Sequence, residues 1–113
     1  MQSYQLFINL SQNIEIQIGK LGLFTFPKGT YVYTGSAKRN IDKRIVRHLS
    51  KDKNLHWHID YLLANEQTKI IKVTKSELSE CDLNTDVKGI IIVKGFGNSD
   101  CKENCKSHLK FLS

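Results

Sequence analysis

The sequence contains few of the residues and segments that are typical of several classes of protein. Its 113 residues include one proline and three cysteines, and they contain no apolar run long enough to cross a bilayer. An odd number of cysteines argues against a disulfide framework and for reduced thiols. The first residues, 1–4, have neither the basic nor the apolar region of a signal peptide. We therefore expect a cytoplasmic protein that makes no membrane contact.

Acidic residues are also few relative to basic ones. Seventeen Lys and Arg residues stand against eleven Asp and Glu, which gives a net charge of +6 and an isoelectric point near 9.3. Such a surplus attracts polyanions such as nucleic acid, although surplus lysine can also serve solubility alone. The length is sufficient for one hydrophobic core and too small for two, which predicts a single domain over residues 1–113.

Alternating apolar and polar residues predict strands near the start of the chain. Residues 4–10 and 14–18 both have this two-residue period, and the short polar segment between them predicts that they form a hairpin. Residues 19–29 contain glycines and the proline and predict a loop. Residues 30–34 are rich in β-branched and aromatic side chains and predict a third strand.

Later in the chain, helical and extended patterns follow one another. The predicted elements are a helix over 41–50 with Asn40 as N-cap, a helix over roughly 56–64, a strand over 69–74, a helix over 76–86 with Ser76 as N-cap, a buried strand over 89–94, and a short strand or helical turn over 107–112. With the N-terminal strands, these elements predict an α+β fold, a small antiparallel β-sheet flanked by helices.

The most specific motif is residues 31–37, followed by a helix that carries Arg44 and His48. It resembles the second half of the signature of the GIY-YIG nuclease superfamily, in which a strand-end tyrosine, any residue and a glycine lead into a helix with an arginine near its middle. In this resemblance Tyr33 and Gly35 are the tyrosine and glycine of the motif. Arg44 matches the family arginine, shifted slightly along the helix.

The first half of that signature is less clear. Residues 29–31 look like it, but they lie in the same predicted strand as Tyr33, whereas the family places its two motifs on neighbouring strands of one hairpin. The better match is residues 2–4, with Tyr4 as the family tyrosine. There the family's glycine and isoleucine are replaced, and the insertion between the two motifs is longer than usual.

Short strings elsewhere resemble one branch of the superfamily, a small stand-alone domain of undetermined role that is sometimes labelled endonuclease III-related. These strings are residues 56–62, Glu80 with Cys81, residues 95–101 and residues 107–109. The resemblance covers nearly the whole chain. It departs at Cys101 and Cys105, which are farther apart here than in that branch.

The resemblance implies a metal-dependent endonuclease that hydrolyses phosphodiester bonds in DNA or structured RNA. It implies that Tyr4 or Tyr33 positions or deprotonates the attacking water, with help from Arg44, the metal or His48. Arg44 would hold the scissile phosphate, and Glu80 would bind one Mg²⁺ or Mn²⁺ with waters in its other positions. The residues expected to contact nucleic acid are Gly35, Ser36, Lys38, Arg39, Lys43, Arg47, His56 and His58.

The aromatic and polar string at residues 56–62 has more than one interpretation. His56 and Asp60 are four positions apart, so on a helix they lie on one face, either as a structural hydrogen-bonded pair or as metal ligands. The structural pair is at least as well supported by the spacing. Trp57 is expected in the core rather than as a platform for stacking bases.

The positions of the cysteines are compatible with a zinc site. Cys101, Cys105 and His108 could converge on a tetrahedral ion, with Cys81 or His58 as the fourth ligand, but reduced thiols are the default expectation. Two alternatives to the nuclease therefore remain. One is a nucleic-acid-binding module of the same fold with weak or no turnover, and the other is a small zinc-stabilised interaction domain. The sequence does not predict a protein partner or a dimer.

Overall fold

The protein is built on a four-stranded antiparallel sheet. The computed structural model describes residues 2–37, 39–51, 54–55, 57–97 and 107–112. In chain order the elements are β1 (Gln2–Leu10), β2 (Ile14–Ile18), β3 (Gly22–Phe26), β4 (Gly29–Ala37), α1 (Ile41–Leu49), α2 (His58–Leu63), β5 (Thr68–Ser76), α3 (Glu80–Asp86) and β6 (Leu109–Phe111). Strands β5, β1, β4 and β6 lie side by side in that order, and neighbouring strands are antiparallel. The predicted fold class, α+β with an antiparallel sheet flanked by helices, is confirmed.

The hydrophobic core joins this sheet to the elements around it. Alternate side chains of β1 and β4 enter the core, because the two-residue period of a strand sends them to the same face. The β2–β3 pair, α1, α2, β6 and the segment 91–97 supply the rest of it, the last two through Leu109, Val93 and Phe96. The buried side chains of the core include Tyr4, Leu6, Ile8, Leu10, Ile18, Phe26, Tyr31, Tyr33, Ile41, Ile45, Ile59 and Leu62. Their removal from water is the main favourable contribution to folding.

The predicted N-terminal hairpin is wrong. β1 pairs along its whole length with β4, and on its other side it pairs with β5. β2 pairs instead with β3, which lies in the segment 19–29 where a loop was predicted, and the two form a separate sheet. A two-residue period locates strands, but it does not specify which strands pair. The β2–β3 sheet is thus the insertion between β1 and β4, the strands that carry Tyr4 and Tyr33.

The helix predicted over residues 76–86 begins later than expected. β5 continues to Ser76, and α3 starts at Glu80 with Ser79 as its N-cap. The Ser79 Oγ accepts a hydrogen bond from Asp82 N at 3.1 Å. Both serines offer a capping hydroxyl, but Ser79 also has an acidic residue three positions later, which is the better helix-start pattern.

Two other predicted elements differ in type or length. Residues 89–94 form no strand, since Ile90 makes an isolated bridge to Phe111 and its side chain is exposed. The second helix, predicted over 56–64, is shorter and spans His58–Leu63. The predicted strands over 30–34 and 69–74 lie within β4 and β5, and the helix over 41–50 corresponds to α1.

An ion pair connects α1 to α2. The Arg47 guanidinium donates to both carboxylate oxygens of Asp60, at 2.8 and 3.0 Å, and the Asp60 side chain is fully buried. Trp57 N also donates to this carboxylate, at 2.8 Å from Asp60 Oδ2. Asp60 is therefore bound by the Arg47 guanidinium and by the backbone at the start of its own helix.

Arg47→Ala should lower the free energy of unfolding by about 2–3 kcal/mol, because it leaves a buried carboxylate without its cation. The matched control is Lys43→Ala, which removes an exposed cation from the same helix. That change should cost less than about 0.5 kcal/mol. Urea denaturation of the three proteins measures both values, and equal losses for the two variants would contradict a structural role of the ion pair.

Candidate active site

The Tyr4 ring lies directly over Gly35. The two residues are partners across β1 and β4, and a Cβ added to Gly35 would lie 2.5 Å from Tyr4 Oη and 2.6 Å from Tyr4 Cζ. Separations this short are not tolerated between a methyl group and a ring, so the approach requires glycine. The glycine of the 31–37 motif therefore has a physical role, which is to let the phenol of Tyr4 cross β4.

Gly35→Ala should lower the free energy of unfolding by about 1–3 kcal/mol, because the added methyl group displaces the Tyr4 ring. In a Tyr4→Leu background the same substitution should cost less, since the part of the ring that the methyl group meets is gone. Chemical denaturation of the wild type, the two single variants and the double variant gives the coupling. Strictly additive losses would mean that Tyr4 is not what requires the glycine.

Tyr4, Tyr33 and His48 form one buried aromatic group. The Tyr4 Oη and His48 Nε2 atoms are 2.7 Å apart, and each residue is 2% exposed. The edge of the Tyr33 ring meets the His48 ring, with centroids 6.1 Å apart. The structure thus brings together three of the five residues predicted to be catalytic, from β1, β4 and α1. The tautomer of His48 determines whether Tyr4 Oη or His48 Nε2 donates this hydrogen bond.

Both tyrosines are held in their protonated form. Burial raises the pKa of Tyr4, the Arg44 guanidinium acts in the opposite direction, and the nearby Glu80 carboxylate adds to the increase. Burial likewise raises the pKa of Tyr33 well above its usual value. Removal of solvent disfavours a charged phenolate. The phenols are therefore suited to hydrogen bonding and to passing on a proton, and not to standing as phenolate bases at neutral pH.

Tyr33 should not ionise in the folded protein near pH 10, where exposed tyrosine does. A raised native pKa means that the native state holds its proton more tightly than the unfolded chain. Its contribution to stability is complete below about pH 10 and is lost as the pH rises above that value. Absorbance titration at the phenolate band should therefore give the same curve for wild type and Tyr33→Phe before alkaline unfolding begins. A smaller amplitude for the folded variant would contradict the burial of this hydroxyl.

Glu80 lies at the start of α3 and is fixed by two hydrogen bonds. Its Oε2 accepts from Ser36 Oγ at 2.8 Å, and its Oε1 lies 2.8 Å from His108 Nδ1. The Arg44 guanidinium donates to the carbonyl oxygen of Ser36, and its charge lies close enough to Tyr4 to lower the pKa of that phenol. Ser36 therefore links Glu80 to Arg44, and Arg44 lies beside the Tyr4–His48–Tyr33 group, so all five predicted catalytic residues belong to one site.

His108 was not predicted to be part of this site. Its side chain is fully buried and touches Glu80 through Nδ1, whereas its sequence context placed it only among zinc ligands. Within the part of the chain that the structure describes, its Nε2 has no hydrogen-bond partner. No local signal in the sequence pairs His108 with Glu80, because the two belong to distant segments that meet only in the fold.

Glu80 is the residue that could hold a divalent metal. The Glu80 side chain is 18% exposed, and each of its oxygens keeps capacity for a further contact. Among the described residues there is no group of three or more side chains that could ligate a metal together. This donor set fits Mg²⁺ or Mn²⁺ bound through one carboxylate and several waters, and does not fit a closed site made by protein ligands alone.

Cys81 and His58, the two residues proposed as the fourth zinc ligand, both have other partners. Cys81 is disulfide-bonded, so the prediction of a reduced thiol is wrong at this position. His58 uses its Nδ1 to accept a hydrogen bond from Gly97 N at 3.0 Å. Cys101 and Cys105, the proposed zinc pair, lie outside the described residues.

The residues predicted to contact nucleic acid differ in how freely they face solvent. Arg39 and Lys43 are exposed, just before α1 and within its first turn. Ser36 bridges Glu80 and Arg44, while Arg47 is held in its ion pair. Two of the predicted residues lie outside the described part of the chain: Lys38 and His56.

Comparison with known proteins assigns a family but no activity. The family model described as "Domain of unknown function DUF123" matches residues 3–113. The chain belongs to this family. No curated protein and no solved structure matches it. Among the described residues, no helix combines the length and the apolar character that crossing a bilayer requires.

Proposed function

We propose that this protein is a metal-dependent endonuclease that hydrolyses phosphodiester bonds in nucleic acid, with DNA as the first substrate to test. The observation that carries the proposal is the arrangement in which Ser36 links the Glu80 carboxylate to Arg44, and Arg44 lies beside the Tyr4–His48 pair. It places an anchoring cation, a carboxylate that could bind a metal and a route for a proton within one site. These three elements together can catalyse phosphodiester hydrolysis.

Arg44 is suited to bind the scissile phosphate. The residue is partly exposed, its guanidinium donates to the Ser36 carbonyl, and its charge acts on the Tyr4 phenol. A guanidinium presents several donors in a fixed plane, which matches phosphate oxygens. Mg²⁺ or Mn²⁺ on Glu80 would supply further positive charge for the departing oxygen.

The Tyr4–His48 pair supplies the route for the proton of the attacking water. Because the Tyr4 phenolate is disfavoured, the phenol acts by relay: its Oη takes a proton from water while its own proton passes to His48 Nε2, 2.7 Å away. Water oxygen then bonds to phosphorus as the bond to the leaving oxygen breaks. The histidine is the net proton acceptor, which is its usual role near neutral pH.

The charge of the protein supports a polyanionic substrate. The net charge is +6, and Arg39 and Lys43 present exposed cations close to Arg44 in the chain. Neutralising phosphates releases bound counterions, so binding should weaken steeply as salt is added. The cytoplasmic location expected from the sequence stays a prediction.

Incubation with supercoiled plasmid and Mg²⁺ or Mn²⁺ tests the proposal. Wild type should nick the DNA, and Glu80→Gln and Arg44→Ala should each reduce the rate about 100-fold or more, because each removes charge stabilisation that the reaction requires. Glu77→Gln is the matched control, since it makes the same change at an exposed glutamate three positions before Glu80, and it should retain the wild-type rate.

Two results would count against a nuclease site at Glu80. Cleavage that persists in repurified Glu80→Gln would assign the activity to a contaminant or to another site. Cleavage that is insensitive to EDTA would exclude the metal.

A nucleic-acid-binding module without turnover is the second candidate. The burial of the Tyr4 and Tyr33 hydroxyls favours it, because each residue is less than one tenth exposed and a reacting water must reach them. Salt-sensitive DNA binding by wild type without cleavage under any divalent metal would select this candidate over the nuclease.

A further inference from the structure

Trp57 lies against the two central arginines of α1. It is the chain's one tryptophan. The Cζ atoms of Arg44 and Arg47 lie 4.7 and 4.5 Å from the centroid of its ring. The His48 ring is beside it, with centroids 5.7 Å apart. Both guanidinium contacts are within the range of cation–π attraction.

The two arginines differ in how their charge is compensated. Arg47 is paired with the buried carboxylate of Asp60, at 2.8 and 3.0 Å. In the described residues, no carboxylate lies within ion-pair distance of Arg44, whose guanidinium donates to the Ser36 carbonyl. The Arg44 charge is therefore the one that an incoming anion can neutralise.

The position of Trp57 is set independently of Arg44. The Trp57 backbone N–H donates to Asp60 Oδ2 at 2.8 Å, and Asp60 is itself fixed by Arg47. The indole ring itself packs against the core, the His48 ring and the Arg47 guanidinium. A ring held by these contacts presents its π-electrons to the Arg44 side chain, which has many rotamers and costs entropy to fix. If that side chain is already held before an anion binds, less conformational entropy is lost on binding.

We propose that Trp57 is a positioning residue that holds the Arg44 guanidinium ready for a phosphate oxygen of nucleic acid. The identity of the anion rests on the proposed function, while the hold of Trp57 on Arg44 does not. Trp57 acts through Arg44 and need not touch the substrate. The loss of the ring should therefore weaken phosphate binding only where Arg44 is present.

The first test measures binding of a fluorescein-labelled DNA duplex in EDTA, so that no cleavage is required. Trp57→Leu and Arg44→Ala should each weaken binding about tenfold, and the double variant should bind no more weakly than Arg44→Ala alone. Trp57→Phe keeps an aromatic face and should bind within about threefold of wild type. Lys43→Ala is the control, and the loss of DNA affinity that it causes should add to the loss caused by Trp57→Leu.

A purely structural role for Trp57 gives a different pattern. The loss of DNA affinity in Trp57→Leu would then add to the loss in Arg44→Ala, and Trp57→Phe would bind DNA no better than Trp57→Leu. Either this pattern or unchanged binding by Trp57→Leu overturns the proposal and leaves the proposed function standing.

The second test uses the emission of Trp57 itself and needs no Trp57 variant to fold. Without DNA, Arg44→Ala should change the emission intensity relative to wild type, whereas Lys43→Ala should not. An unchanged spectrum in Arg44→Ala overturns the contact. If wild type binds no DNA, the proposed function fails, and this comparison still decides whether Trp57 holds Arg44.

Discussion

The close approach of the Tyr4 ring to Gly35 is the constraint on which the site depends. Because β4 has no side chain at this point, the phenol crosses it and reaches His48 Nε2, 2.7 Å from Tyr4 Oη. That hydrogen bond connects β1 to α1, and α1 also carries Arg44 one turn earlier. A single strand pairing and one glycine thus determine where His48 and Arg44 lie relative to Tyr4.

The two arginines of α1 differ in role because their charges are compensated differently. Arg47 neutralises the buried carboxylate of Asp60 and holds α2 against α1. Arg44 has no carboxylate within ion-pair distance among the described residues, and its guanidinium donates to the Ser36 carbonyl and lies over the Trp57 ring. Two arginines three positions apart in the sequence therefore have different physical roles, and their environments determine the difference.

The sequence predicted which residues lie together better than it predicted which strands pair. The tyrosine–glycine motif placed Tyr33 and Gly35 on one strand because a motif of neighbouring residues is local, whereas Tyr4 on the adjacent strand followed from the resemblance and from no local signal. The hairpin of β1 with β2 was wrong because strand pairing is a long-range property that a period of two cannot specify. The contact of His108 with Glu80 could not be predicted for the same reason, since it joins segments far apart in the chain.

Hydrolysis of a DNA oligonucleotide in ¹⁸O-labelled water tests the central claim most directly. The account predicts that wild type with Mn²⁺ forms fragments whose new phosphate carries ¹⁸O from the attacking water, detected by mass spectrometry, and that Glu80→Gln forms none. An oligonucleotide that stays intact would contradict the nuclease. Fragments without ¹⁸O from a single turnover would contradict direct attack by water at the Tyr4–His48 pair.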